Sequence, residues 1–572
     1  MQLVFDIEAD NLLDNLTRIH CIVTKDVKTG ETVSYRPDQI DEAIQALENA
    51  DEIIGHNVIG YDVPAIQKLY FKFKPKKVTD TLVLSRLIWP NIKDKDFLQQ
   101  PDNMPTKLYG RYSLAAWGYR LGNYKENYAD DFTQFNEEML TYCGQDVSVT
   151  YSLYKHCRNT GIADGAEILE HNIAEVCSNM EATGFHFNTI AAADLYGQLA
   201  AKRDTIKKYM EENFEGTIKT FKTKPSVTIP FNPSSRQQIA NQFINKYQWK
   251  PKDWTPAGQP RIDEETLGKL DYPEAKQLAE YFLLEKRIGM IAEGNNGYLR
   301  LIDGCSKLRG RYITNGAITG RATHFSPNLA QVPSLRVPYG SEIRKCFTVP
   351  DGWSMVGCDL SGIELRCLAH YLSKWDQGNY ANIILSADIH TANQEAAGLP
   401  NRDAAKKFIY TLVYGGGDQK LGEIIGKGRD AGRQMKNKFF KSIPAFSALR
   451  SAVEMALSNR GHLVGLDGRL LYPRSQHAAL NTLLQSAGAL VAKQWLILAF
   501  EDISKTYEHG WGNQFVFSGW IHDEVQVSCR KEIAEDVGNR LRRAAEKAGE
   551  QFKFRCKVDA EFSIGTDWAT TH

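Results

Sequence analysis

MVGCDLSGIELR (355–366) and FSGWIHDEVQVS (517–528) decide how this chain is read. In the first, the apolar run Val356–Gly357–Cys358 ends in Asp359, as a strand that delivers an acid at its tip should. In the second, Phe515–Ile521 and Glu524–Ser528 read as two strands around a tight turn that holds His522 and Asp523. Two carboxylates delivered by strands far apart in sequence suit one task well. They can hold a pair of divalent cations about 3.5–4 Å apart over a phosphate. Each motif alone has a plainer reading: a polar hairpin turn for His522–Glu524, and a helix N-cap for Asp359.

Between them lies NRDAAKKFIYTLVYGGG (401–417), which places Arg402, Lys406, Tyr410 and Tyr414 at successive i+4 positions. On a helix these residues form one slowly drifting stripe. Two cations and two rings on one face suit a nucleoside triphosphate, the cations for phosphates and the rings for sugar and base. The plainer reading is a surface helix whose tyrosines face the core. The glycines after Tyr414 end the helix and are no P-loop, since GK[ST] does not follow.

A second acidic set opens the chain. In VFDIEA, Asp6 and Glu8 are i and i+2 on a strand and share a face. Tyr142 and Asp146 in YCGQD are i and i+4 on a helix and share a face, and HNVIGYD brings Asp62 to the start of another helix. Four carboxylates and a tyrosine can bind two Mg²⁺ ions and position an attacking water.

Composition bounds the rest. The 572 residues are 42% hydrophobic and 24% charged, ordinary for a globular chain of several domains. MQLVFDIEAD has neither a basic nor an apolar leader region, so no secretory signal is expected, and no 18-residue apolar run is read as a membrane span. The ten cysteines include no CxxC pair, which favours free thiols of a reducing cytoplasm over a zinc knuckle. Net charge is zero, but residues 1–150 carry 16 Lys+Arg against 23 Asp+Glu and residues 151–572 carry 53 against 46. Phosphate attraction is local, so the basic segment 201–250, with 10 against 4, is compatible with nucleic acid.

The element pattern predicts α/β and α+β domains. Residues 1–160 form a mixed α/β unit, 165–300 are mainly helical, and strands return near 308–320 and 354–360. A long helix runs from about 477 to 506, a hairpin spans 515–529, and a last helix covers Lys531–Gly549.

GCDLSGIELR, RDAAKKFIYTLVYG and WIHDEV resemble motifs A, B and C of the family A DNA polymerases, the DNA polymerase I class. Motif B, R-x3-K-x7-YG, is matched by Arg402, Lys406, Tyr414 and Gly415. TNGAITGRATHFSPNLAQVP (314–333) and HAALNTLLQSAGAL (477–490) are similar to DNA-contacting segments of the replicative T-odd coliphage type. The N-terminal acids resemble the DEDDy 3′–5′ exonucleases, on an RNase H-like fold. The resemblance implies an exonuclease domain at 1–160 and a right-hand polymerase at 161–572, with thumb 165–300, palm 301–370 and 478–572, and fingers 371–477.

It also implies roles. Asp359 and Asp523, with the Leu360 carbonyl, hold the polymerase metals; Asp6, Glu8, Asp62 and Asp146 hold those of the exonuclease, aided by Tyr142. Mg²⁺ is the expected cofactor at both sites, with Mn²⁺ as a substitute. His390, Arg402, Lys406 and Tyr414 bind the incoming dNTP, Glu364 crowds its 2′ position, and Tyr410 senses its 3′ position. Arg321, His477, Asn481, Gln485 and His522 contact DNA. Primer-template DNA and dNTPs are the implied partners, together with a replicative helicase-primase and a single-stranded DNA-binding protein. The implied location is the host cytoplasm, and no 5′ nuclease domain is expected.

One departure stands out. The best-known coliphage relative recruits thioredoxin through a long thumb insertion, whereas here only about Gly216–Pro230 lies between Phe214 and PFNPSSRQQ. Thioredoxin dependence is therefore not carried over, and Lys219, Lys222 and Lys224 are expected to grip the duplex instead. A single-subunit RNA polymerase and a catalytically dead DNA-binding scaffold are the alternative readings. Glu364 and the exonuclease motifs oppose the first, and the intact acids oppose the second.

Overall fold

The computed structural model describes residues 1–124, 128, 131–219, 227–386 and 389–572. The backbone forms two compact units. The first comprises Met1–Thr183, Arg311–His324 and Val356–Ile564; the second comprises Gly184–Gly310, Phe325–Met355 and Gly565–His572. Both acidic sets belong to the first.

Its N-terminal part is a sheet of β1 (Gln2–Ala9), β2 (Ile19–Asp26), β3 (Thr32–Tyr35), β4 (Glu52–Gly55) and β5 (Val78–Asp80), in the order β3-β2-β1-β4-β5. The pairs β3-β2 and β2-β1 are antiparallel, and β1-β4 and β4-β5 are parallel. This is the mixed, RNase H-like arrangement the motifs imply. Alternation along β1 sends Leu3, Phe5 and Ile7 into one apolar cluster and Val4 into another, so both faces are covered. Asp6 and Glu8 share the face of Val4. That face is crossed by α2 (Glu137–Arg158), which buries Met139, Leu140, Cys143 and Val147 there. Helix α1 (Asp62–Leu69) follows β4, and α3 (Asp164–Thr183) follows α2.

The rest of the first unit is built on a four-stranded sheet of β6 (Trp353–Leu360), β7 (Phe515–Ile521), β8 (Glu524–Arg530) and β9 (Ala560–Gly565), in the order β7-β8-β6-β9. Three helices recur below: α4 (Arg402–Val413), α5 (Gln476–Ser504) and α6 (Ala534–Gln551). Asn401 caps α4 by accepting from the Ala404 amide at 2.8 Å, and Ser475 likewise caps α5. Gly415, at φ 77°, supplies the left-handed turn that ends α4.

Helix α5 corrects one expectation. It is long and apolar enough to cross a membrane by length and composition. Scattered polar residues such as Asn481 and Lys493 hide this in the sequence. Its most apolar stretch is nevertheless 78% buried within the protein, which is how a central core helix behaves.

A buried ionic cluster ties this unit together. Glu170 on α3 accepts from Arg469 at 2.6 Å and from Lys493 on α5, and Arg469 also pairs with Asp467 at 2.7 Å. Arg469 further donates to the Asn315 amide oxygen at 3.2 Å, and Asn315 donates to the carbonyl of Arg86 at 2.9 Å. The neighbouring cations hold the Glu170 carboxyl below its ordinary range, against the cost of burial.

In the second unit, helices Thr189–Asn213 and Pro273–Ile288 pack together, and Thr217–Lys219 pairs antiparallel with Val227–Ile229. Phe187, Tyr298 and Phe347 stack edge-on at 5.1–5.7 Å. Lys222, Lys224 and the side chain of Lys219 lie outside the described residues.

Candidate active sites

The two-residue turn between β7 and β8 is formed by His522 and Asp523, with Ile521 opposite Glu524. His522 takes the left-handed φ of 59° that the turn requires, and its carbonyl accepts from the Trp520 indole at 2.8 Å. The Leu360 amide donates to the Asp523 carbonyl at 2.9 Å. That bond sets Asp359 and Asp523 side by side from strands more than 150 residues apart in sequence. The N-cap of the following helix, Ile363–Asp376, is Gly362, which removes the capping reading of Asp359.

Asp359 is exposed at the tip of β6, between buried Cys358 and Leu360. Its carboxyl is nonetheless pushed up to about 8, first by the protein enclosing it and then by the negative field of Asp523, Glu524, Glu364 and Glu561. Asp523 is pushed up to about 6 by burial and Glu364, against its own amide and Arg321. Carboxylates crowded in this way would be favoured by added positive charge, and an oxygen-only donor set fits a hard divalent ion.

Glu364 is gripped by the Tyr414 hydroxyl at 2.8 Å and lies 3.6 Å from the Arg321 guanidinium. On α4, Ala404, Ala405, Phe408 and Ile409 are buried, while Arg402, Lys406 and Tyr414 are exposed and Tyr410 is half-buried. Tyr414 therefore does not serve the core, whereas Tyr410 packs against its edge. Their rings lie 6.4 Å apart, and Tyr410 lies 6.4 Å from the His390 ring. The Tyr410 hydroxyl is pushed up to about 12 by burial and by the fields of Glu364, Asp523 and Asp359, so the tyrosine end of the stripe lies near the carboxylates. On α5, His477 is exposed and Asn481 and Gln485 are half-buried along one stripe. A Cβ added to Gly415 would stand 3.7 Å from the His477 carbonyl, which fixes the end of α4 against the start of α5. The His522 ring sits 6.3 Å from that of His324, edge to face.

The N-terminal set converges as well. Asp6 and Glu8 stand on β1, Asp62 opens α1, and Tyr142 and Asp146 lie on α2. Glu8, Asp62 and Asp146 are only 8%, 4% and 6% exposed. The Asp62 carboxyl is raised, first by burial and then by Asp80 and Asp146. The Tyr61 hydroxyl is pushed up to about 12 by burial, then Asp62, Glu8, Asp10 and Asp6. Asp6, Glu8 and Cys143 each place a potential ligand atom within 4.8 Å of the others.

Three residues escaped the sequence reading. Asp80 is buried and accepts from the amides of Asn57, Ile59 and Leu82 at 2.8–3.1 Å, so it fixes the loop that carries Asp62. The sequence before it, KKVTD (76–80), carries no apolar run like the one before Asp359, so nothing local marked it. Glu524 is buried beside Asp523 and adds to the field at both polymerase-motif acids. Cys143 was legible only as a scattered thiol.

Against known proteins, a family model described as DNA polymerase family A matches residues 203–570. The DNA-directed DNA polymerase of Enterobacteria phage T3 is 38% identical over an alignment of 705 positions spanning all of both chains. That of Escherichia phage T7 is 37% identical over the same span. Among solved structures, the POL domain of Pol1 from M. smegmatis, in complex with DNA primer-template and dNTP, superposes with a TM-score of 0.77. It covers 99% of this chain and 95% of its own, at 14% identity, and so speaks to fold alone.

Proposed function

This chain belongs to DNA polymerase family A, and on that premise we propose a replicative DNA-directed DNA polymerase of phage type that also proofreads in the 3′–5′ direction. The observation that carries the reading is the convergence of Asp359 and Asp523 beneath the stripe of α4. Arg402 and Lys406 bind the phosphates of an incoming dNTP, and Tyr410 and Tyr414 contact its sugar and base. Asp359, Asp523 and the Leu360 carbonyl would hold two Mg²⁺ ions, which when bound lower the charge barrier to attack of a primer hydroxyl on the α-phosphate. Glu364, held by Tyr414 and Arg321, fills the space a ribose 2′-hydroxyl would need. Arg321, His477, Asn481, Gln485 and His522 line the path of the primer-template.

Asp6, Glu8, Asp62 and Asp146 would hold the hydrolytic ions, and Tyr142 would orient an attacking water. A centre whose acids are this buried suits a single-strand end better than a duplex. The proposed setting is the host cytoplasm, beside a helicase-primase and a single-stranded DNA-binding protein.

Extension of a primed circular template by the purified chain with Mg²⁺ and dNTPs tests the first activity, and loss of label from a 3′-labelled single strand tests the second. No extension, or equal incorporation of ribonucleotides, would overturn the polymerase reading. Thioredoxin is expected to leave product length unchanged, because the 216–230 stretch is too short for a docking domain.

A further inference from the structure

We propose that the N-terminal carboxylate centre has a thiol ligand, Cys143, and is therefore a binding site for thiophilic divalent cations of the Zn²⁺ and Cd²⁺ class. The inference deepens the exonuclease reading of this centre, but its binding test stands apart from that reading.

Cys143 lies on α2 between Tyr142 and Asp146, fully buried against the face of β1 from which Asp6 and Glu8 rise. Its thiol donates to the Asp6 carbonyl at 3.4 Å. A second thiol meets it: Cys21 stands opposite Glu8 in the β1-β2 register, and its side chain touches that of Cys143. One ligand atom each from Asp6, Glu8 and Cys143 falls within 4.8 Å of the others. Zn²⁺ binds sulfur at about 2.3 Å and carboxylate oxygen at about 2.0–2.2 Å, so two ligands of one tetrahedral ion stand ~3.6 Å apart. Shifts of about 1 Å would close this set around an ion.

Ion softness separates two uses of the centre. Mg²⁺ takes oxygen ligands and gains nothing from a thiol, so the carboxylates alone serve it. A softer ion adds a sulfur bond and binds more tightly. The Cys143 S–H bond breaks as the sulfur–metal bond forms, the proton leaves to buffer, and no electron is transferred. The polymerase-motif acids have no equivalent. Cys358 adjoins Asp359 in sequence, but alternation along β6 turns it to the opposite, buried face.

The test is a Cd²⁺ titration with Mg²⁺ in excess, followed by the ultraviolet charge-transfer absorbance of a Cd²⁺–thiolate bond. It is made on a Cys305→Ser background, because Cys305 is the exposed thiol among the described residues. One equivalent is expected to develop the band. Cys143→Ala and Cys143→Val should each lose it and weaken Cd²⁺ binding at least ~10-fold, whereas Cys358→Ala should keep both. A band that survives in both Cys143 variants, or none in the parent, overturns the proposal. In the activity arm, each protein is compared with its own Mg²⁺ rate. Cd²⁺ should slow single-strand degradation by the parent at least ~10-fold more than by Cys143→Ala, and equal slowing also counts against the site. If Mg²⁺ alone supports no degradation, the exonuclease reading fails while the band still decides the metal site.

Discussion

The two centres share carboxylate donors and differ in how deeply those donors are buried and in the thiol beside one of them. At the polymerase-motif centre, Asp359 is exposed at a strand tip, and the acids come from strands that meet only through the sheet. At the N-terminal centre, Glu8, Asp62 and Asp146 are almost fully buried, and every acid of the set comes from the first 146 residues. An open centre accepts a thick substrate such as a duplex end with its incoming nucleotide. A buried one favours a strand that has left its partner. On the proposed reading, access alone would sort paired from frayed ends without sequence recognition.

Four changes would break or sharpen this contrast. Asp523→Ala should lower primer extension on the order of 10³-fold, the several kcal/mol a lost metal ligand removes, and leave single-strand degradation intact. Loss of both activities would show that the centres are not independent. The double change Asp6→Ala with Glu8→Ala should do the converse by a similar factor, and 3′–5′ digestion that survives would contradict the ligand assignment.

Glu170→Ala comes next, since it strands Lys493 and Arg469 in the core without their counter-charge. About 3–5 kcal/mol of stability should be lost in denaturant unfolding. Because α3 and α5 share this cluster, both activities should fall together on heating; divergent midpoints would show that the two parts melt separately. The smallest effect is expected of Tyr410→Phe, which should increase discrimination against dideoxynucleotides at least ~10-fold, about one hydrogen bond's worth. Unchanged chain termination would remove its role at the sugar.

Much of this was legible because its signals are local. The strands at 2–9 and 19–26 fall where alternation places them, and the helix expected from about 477 begins at Gln476. The stripe of α4 and the turn at Asp523 follow from residue spacing alone. What was not legible depends on long-range approach. Asp80 matters because the loop from Asn57 to Ile59 wraps its carboxylate, and nothing near Asp80 in sequence announces that loop. The Glu170 cluster joins residues about 300 apart, each of which reads as an ordinary surface charge on its own helix or turn. Cys143 acquires a context only when α2 is laid across β1.

Helix α5 has a consequence for synthesis. Its apolar flanks are covered in part by α6, whose Leu541 carbonyl receives the Trp495 indole at 2.8 Å. Translation delivers α5 first, so for the time needed to add the next few dozen residues a rod of roughly 44 Å lacks the cover that α6 supplies. A message truncated before Ala534 would release a chain with that face still bare, a natural target for chaperones and proteases. The segment that supplies α6 thus reports that synthesis has passed the central helix.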